Sequence, residues 1–266
     1  MVIAIIHSEL LRLRRPGLLA GWFGLMALFA VLVNLVMFST AGKGGSLPPG
    51  APGVSFPDAK ALAGPDGLVA GLSAASSMFG VVTLSMWAVA TATDYSSGLI
   101  RLLVSAQPHR WRLLIGKVVA LTTVTAAATT VAMVVNMMVA GPAAGAAGIS
   151  TSAWGAHPVS AVIDSWFDAF AAQLVWGVVG LVLAVLSRSS AVAIAVGVGY
   201  VLVVESVVKL AIGGSSDWLL GSTLNALARG GTATLGYASA LGLALLYVTA
   251  GLALAGAVVT RRDVTD

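Results

Sequence analysis

Apolar residues run through this chain in six long blocks, each nearly free of charge, separated by shorter segments of a different character. The blocks are Leu18–Phe38, Leu68–Ala92, Val118–Ala140, Phe167–Leu186, Ala191–Ile212 and Tyr237–Val259. A hydrocarbon layer about 30 Å thick needs roughly 20 apolar residues in a helix, so each block predicts a membrane-spanning helix. The first sixteen residues have another period. Ile3, Ile6, Leu10 and Leu13 recur at spacings of three and four, with Glu9, Arg12 and Arg15 off that face. This predicts an amphipathic helix in the headgroup plane, residues 1–17, broken by Pro16-Gly17 before the first span. A cleavable signal peptide is the rival reading of the first block, with Ser39 and Ala41 near a cleavage site. The block is far longer than the roughly 7–15-residue core of such signals, which argues for a retained span.

Composition agrees with this class. Only 9% of residues are charged and the mean hydropathy is +0.98, whereas soluble domains carry about 25% charged residues. The net charge of +4 is therefore a sum over loops, and no sign of nucleic-acid binding. The expected fold is all-α, a single six-helix transmembrane domain.

Positive charge is unevenly shared among the connections. With both termini on one side, that side holds Arg12, Arg14, Arg15, Arg101, Arg110, Arg112, Lys117, Arg188, Arg261 and Arg262. The opposite side keeps Lys43, Lys60 and Arg229, and Lys209 lies within a block. Lys and Arg accumulate in cytoplasmic loops, so both termini are expected in the cytoplasm and the chain in the cell (inner) membrane. Segments 39–67, 141–166 and 213–236 are then outside. They are rich in Gly, Pro, Ser and Thr and read as irregular loops, with Trp154, Trp166 and Trp218 suited to an interface.

Catalytic chemistry has little to stand on. Cysteine is absent and there are three scattered histidines, so no thiolate, disulfide or metal site is expected. Gly116-Lys117 lacks the remainder of a phosphate loop, so the chain is not itself expected to be an ATPase or other enzyme, and it binds no cofactor. Two ionic residues do fall inside a block. Glu205 and Lys209 are four apart on the fifth span and share a face. Intramembrane ions are costly, so they are expected to pair, either as a structural unit or as lining of a substrate path. As a self-contained pair, their joint removal should cost less than removal of either one. Ala193 with Gly197 and Gly251 with Ala255 have the spacing that lets helices approach closely, and Asn34 and Asn136 are expected to bond across helices.

The segment 94–117 is the most informative connection. Leu99, Leu102 and Leu103 form one apolar face of a short helix that Pro108 would end, with Arg101 and Arg110 on its polar side. Such an element suits docking of a soluble partner.

Asp94, Gly98, Arg101, Pro108, Arg110, Gly116 and Lys117 occupy the places of a motif in the membrane subunits of type-2 ABC exporters. There an acidic residue ends the second span and precedes Gly-Thr-x-Arg/Lys, a short helix, Pro-x-x-Arg, and Gly-Lys at the third span. Leu99 stands where threonine is usual. The ending Arg261-Arg262-Asp263 also resembles that family. The resemblance implies a permease working as two six-helix halves, a homodimer or heterodimer, each above an ATPase subunit that binds ATP and Mg. It implies that 94–117 is the coupling segment, with Asp94, Gly98, Leu99, Arg101, Leu102, Pro108, Arg110 and Lys117 serving it. Residues 1–17, with Glu9, Arg12 and Arg15, would be the elbow helix. Residues 213–236 would re-enter the outer leaflet and close the path. The nearly uncharged spans favour hydrophobic or amphipathic cargo: a lipid, a drug or a peptide. Two other classes compete. A stand-alone secondary transporter predicts internal repeats and helices broken near mid-membrane, of which the sequence shows none. A non-transporting scaffold or immunity protein predicts no partner ATPase.

Overall fold

The computed structural model describes residues 2–42, 56–98, 110–212 and 217–261, and every regular element among them is helical. Six helices are long and apolar enough to cross a membrane: Pro16–Gly42, Ser76–Ser96, Arg110–Ala146, Pro158–Ser187, Ser190–Ala211 and Tyr237–Arg261. This is a polytopic α-helical membrane protein. An amphipathic helix, Val2–Leu13, precedes them, and a short helix, Leu220–Ala228, lies between the fifth and sixth.

The fourth span is the axis of the bundle. Of its most apolar window 61% is buried, against 17% for the fifth and sixth spans, which lie at the periphery. In lipid, packing and hydrogen bonds rather than the hydrophobic effect hold helices together, and small residues let backbones meet. Gly80 faces Trp176, Gly177 faces Trp87, and a Cβ on Gly180 would stand 2.2 Å from the Leu84 carbonyl oxygen. These contacts advance together along both helices, so the second and fourth spans run parallel. Both predicted small-residue pairs sit at contacts too: Gly197 meets Leu84 and Leu183, and Gly251 meets Val178 and Val182.

Side-chain hydrogen bonds tie the spans across the interior. Trp87 Nε1 donates to Thr125 Oγ1 at 2.9 Å, Thr83 Oγ1 donates to Gln173 Oε1 at 3.1 Å, and Gln173 Nε2 donates to Thr129 Oγ1 at 3.0 Å. The two threonines donate in turn to carbonyls one turn back. Between the first and third spans, Asn34 Nδ2 donates to Asn136 Oδ1 at 2.8 Å, the cross-helix bond expected of them.

Several boundaries differ from the sequence pattern, each for a local reason. Pro16 begins the first span instead of breaking before it, because a proline at the first helical position forfeits only an N–H that has no partner there. The second block is interrupted. A 3₁₀ turn at Pro65–Leu68 and a short helix at Ala70–Ala74 precede the span at Ser76. Asn136 Nδ2 takes up the Leu68 carbonyl at 2.9 Å, so the break leaves that oxygen satisfied. Gly141-Pro142 does not stop the third span, which runs to Ala146 and ends at Gly148 with φ of 70°. The Ile149 N–H then returns to the Ala144 carbonyl at 2.9 Å, the hydrogen-bond pattern of a glycine-terminated helix. Trp154 is buried, with its indole donating to the Leu62 carbonyl at 2.9 Å, so it is a packing residue and not an interfacial anchor.

Candidate functional site

At the end of the bundle where the first span begins, four ionic side chains converge from three elements. Glu9 and Arg12 come from the amphipathic helix, Asp94 from the last turn of the second span and Lys117 from the start of the third. Arg12 bridges the two carboxylates, bonding Asp94 and Glu9, the latter at 2.5 Å. Lys117 Nζ bridges them again, 2.5 Å from Asp94 Oδ2 and 3.3 Å from Glu9 Oε2, and also donates to the Ala90 carbonyl. Glu9 and Asp94 are 4% and 2% exposed. Two acids and two bases make the cluster neutral. Buried ions are tolerated only when paired and hydrogen-bonded in this way.

This geometry adds two details to the sequence reading. The amphipathic helix packs one face on the bundle. Its inner face is Ile5, Glu9 and Leu13, packed on the third span with Ile5 over Gly116, while Ile3 and Leu11 are exposed. Arg15 does remain exposed. Likewise Asp94 and Lys117, at the two ends of segment 94–117, are turned inward to the cluster. The sequence did carry a signal for them: two acids and two bases near helix ends assigned to the same side of the bundle.

Gly98 ends the second span with φ of 68°, in the left-handed region that glycine adopts without strain. Arg110 is the first residue of the third span. Leu99, Arg101, Leu102 and Pro108 lie outside the described residues, as does the short helix expected there.

The opposite end holds a second constellation. The fifth span is α-helical to Gly199, widens into a π-helical turn over Tyr200–Val204, and resumes at Glu205. Such a turn inserts an extra residue and re-aims the side chains beyond it. Glu205 is 2% exposed. Its carboxylate accepts from the backbone N–H groups of Gly221 and Ser222, both at 2.8 Å, and from Ser222 Oγ at 3.2 Å. Lys209 Nζ is 2.8 Å away, with its side chain 44% exposed. The predicted pair exists, but it is half of the arrangement. Glu205 caps the Leu220–Ala228 helix, placing a negative charge at the positive end of its dipole. Gly221 permits this approach, because a Cβ there would meet a carboxylate oxygen at 2.5 Å. At the other end of that helix Arg229 is half-buried, and desolvation lowers its pKa from the ordinary arginine value.

Around Glu205 is a cavity of about 270 Å³. Ser76, Met78 and Val81 of the second span line it, with Trp176 of the fourth, Val201, Leu202 and Lys209 of the fifth, and Asp217, Leu224 and Asn225. No group of His, Cys, Asp and Glu able to hold a metal occurs among the described residues. A comparison with curated proteins gives no match. The family model described as a protein of unknown function, DUF2705, matches residues 27–265, nearly the whole chain, and the protein belongs to that family.

Proposed function

We propose that this protein is the permease subunit of an ATP-driven ABC exporter, oriented with both termini in the cytoplasm of the cell membrane. It forms the translocation path with a second half, and ATP hydrolysis resides in a separate subunit. The observation that carries this reading is the ionic cluster at the base of residues 94–117. Its four members join the amphipathic helix to both spans that flank that segment. Force applied to the segment therefore reaches three elements at once, and those spans pack on the buried fourth span and, through it, on the sixth. ATP binding need only favour one of two arrangements of this unit to drive transport. The Leu220–Ala228 helix, held within the bundle at the far end by Glu205, fits the role of an outer closure.

The test is purification of the tagged full chain from its native membranes in mild detergent. A co-purifying protein with a phosphate loop and ATP hydrolysis in the complex are expected. Leu102→Pro and Arg101→Glu should lose both while the permease stays monodisperse. Full partner binding and full hydrolysis in both variants would refute the docking role. Isolation of the chain with no ATPase would refute the subunit assignment.

A further inference from the structure

The cavity beside Glu205 has a charge that its ion pair does not cancel. Glu205 and Lys209 neutralise each other at 2.8 Å, and Glu205 is further occupied by two backbone N–H groups and a hydroxyl. That leaves Asp217. Its carboxylate has no hydrogen bond or ion pair among the described residues, and the same holds for the Asn225 amide. Ser76, on the second span, is 4% exposed, lines the same space and makes no side-chain hydrogen bond among those residues. Ser76 is buried and Asp217 and Asn225 are half-buried, so the cavity offers an occupant three polar groups that have no side-chain partner among the described residues.

The apolar part of the lining says what that occupant carries. Met78, Val81 and Val201 are part of the lining. Leu202 lines the cavity and is also 49% exposed, continuous with Val203, Val204 and Val207 on the outward face of the fifth span. The space therefore opens beside a surface that faces lipid. At about 270 Å³ it is smaller than the roughly 300–1,000 Å³ of sites that enclose a drug-sized molecule. That is room for a headgroup with its tail left in the membrane.

We propose that this cavity binds the headgroup of a cationic amphiphile, with Asp217 as its counter-ion and Asn225 and Ser76 as polar contacts. A cation is selected because the lining carries one carboxylate in excess. An anionic headgroup would meet Asp217 uncompensated, with Lys209 already engaged. Calling the occupant the transported cargo rests on the exporter reading; the binding does not.

The test uses the full chain in phosphatidylcholine nanodiscs and radiolabelled hexyltrimethylammonium, with unlabelled hexyl sulfate as competitor. Saturable binding of the cation, uncompeted by hexyl sulfate, is expected. Asp217→Asn should raise Kd about tenfold through the lost charge. Lys209→Met, which removes the one cation among the described lining residues, should lower it. Equal competition by hexyl sulfate overturns the proposal, and so does unchanged affinity in Asp217→Asn. Should that variant not fold, an unchanged or weaker affinity in Lys209→Met overturns it equally. Binding without any co-purifying ATPase would leave the site standing and remove the exporter reading. A co-purifying ATPase with no cation selectivity would do the reverse.

Discussion

Removal of Glu205 or Lys209 should have very unequal effects, although they are partners in one ion pair. Glu205 is 2% exposed and accepts from Gly221, Ser222 and Lys209. In Glu205→Gln the charge is lost, and one of the two side-chain oxygens becomes an amide that confronts a backbone N–H. A charge-assisted hydrogen bond contributes about 1.5–3 kcal/mol, and a buried donor left without a partner costs about 1–3 kcal/mol. Together these put the loss at about 2.5–6 kcal/mol, which brackets the roughly 3–5 kcal/mol for breaking a buried charged contact. Lys209→Met is milder. The lysine side chain is 44% exposed, and a half-exposed pair contributes about 1 kcal/mol or less. Glu205 keeps its three other contacts. The double variant should therefore be about as unstable as Glu205→Gln alone, contrary to the behaviour of an isolated pair. The assay is reversible unfolding of the purified protein against mole fraction of dodecyl sulfate, read by helical circular dichroism. A Lys209→Met loss equal to that of Glu205→Gln would refute the capping account. So would a double variant more stable than both singles.

The ionic cluster at the other end should be a latch for the amphipathic helix: Asp94→Asn ought to open the chain to trypsin at Arg12 and Arg14, with cleavage there accelerated about tenfold or more while the spans stay intact. Unchanged cleavage would mean that the packing of Ile5 and Leu13 suffices by itself. Gly180→Ala must push the second and fourth spans apart, since its Cβ falls 2.2 Å from the Leu84 oxygen, and should cost about 1–3 kcal/mol; Gly242→Ala, with nothing within 4 Å, should cost less than about 0.5 kcal/mol. Both are read in the same unfolding assay, and equal effects would contradict the close helix contact. Asn136→Leu removes the bonds to Asn34 and to the Leu68 carbonyl and should cost about 0.6–1.7 kcal/mol, with any loss beyond about 3 kcal/mol arguing for a role beyond the two bonds. For orientation, single cysteines at Ser46 and Ser216 should react with an impermeant maleimide on intact cells, and those at Ser105 and Thr265 should not. The reverse pattern would invert the assigned topology.

The six spans were legible in the chain because spanning length and lack of charge are local properties. The count and approximate centres of the helices need nothing but the apolar blocks, and cross-helix bonding by Asn34 and Asn136 was expected, although only the structure shows that they bond to each other. Boundaries were less legible. Pro16, Pro142 and the interruption before Ser76 depend on which backbone groups find partners elsewhere, such as Leu68 with Asn136. The ion pair of Glu205 and Lys209 could be read from helical spacing. Its larger role could not, because the donors that matter, Gly221 and Ser222, are backbone groups and carry no side-chain signal. The π-helical turn that precedes Glu205 is likewise a tertiary choice. Asp94 and Lys117 read as the ends of a docking segment, and only the folded chain shows them joined to Glu9 and Arg12 in one ionic cluster. Periodicity places a residue on a face of its own helix. Which other helix that face meets, and whether a charge there finds its opposite, is decided only when the bundle packs.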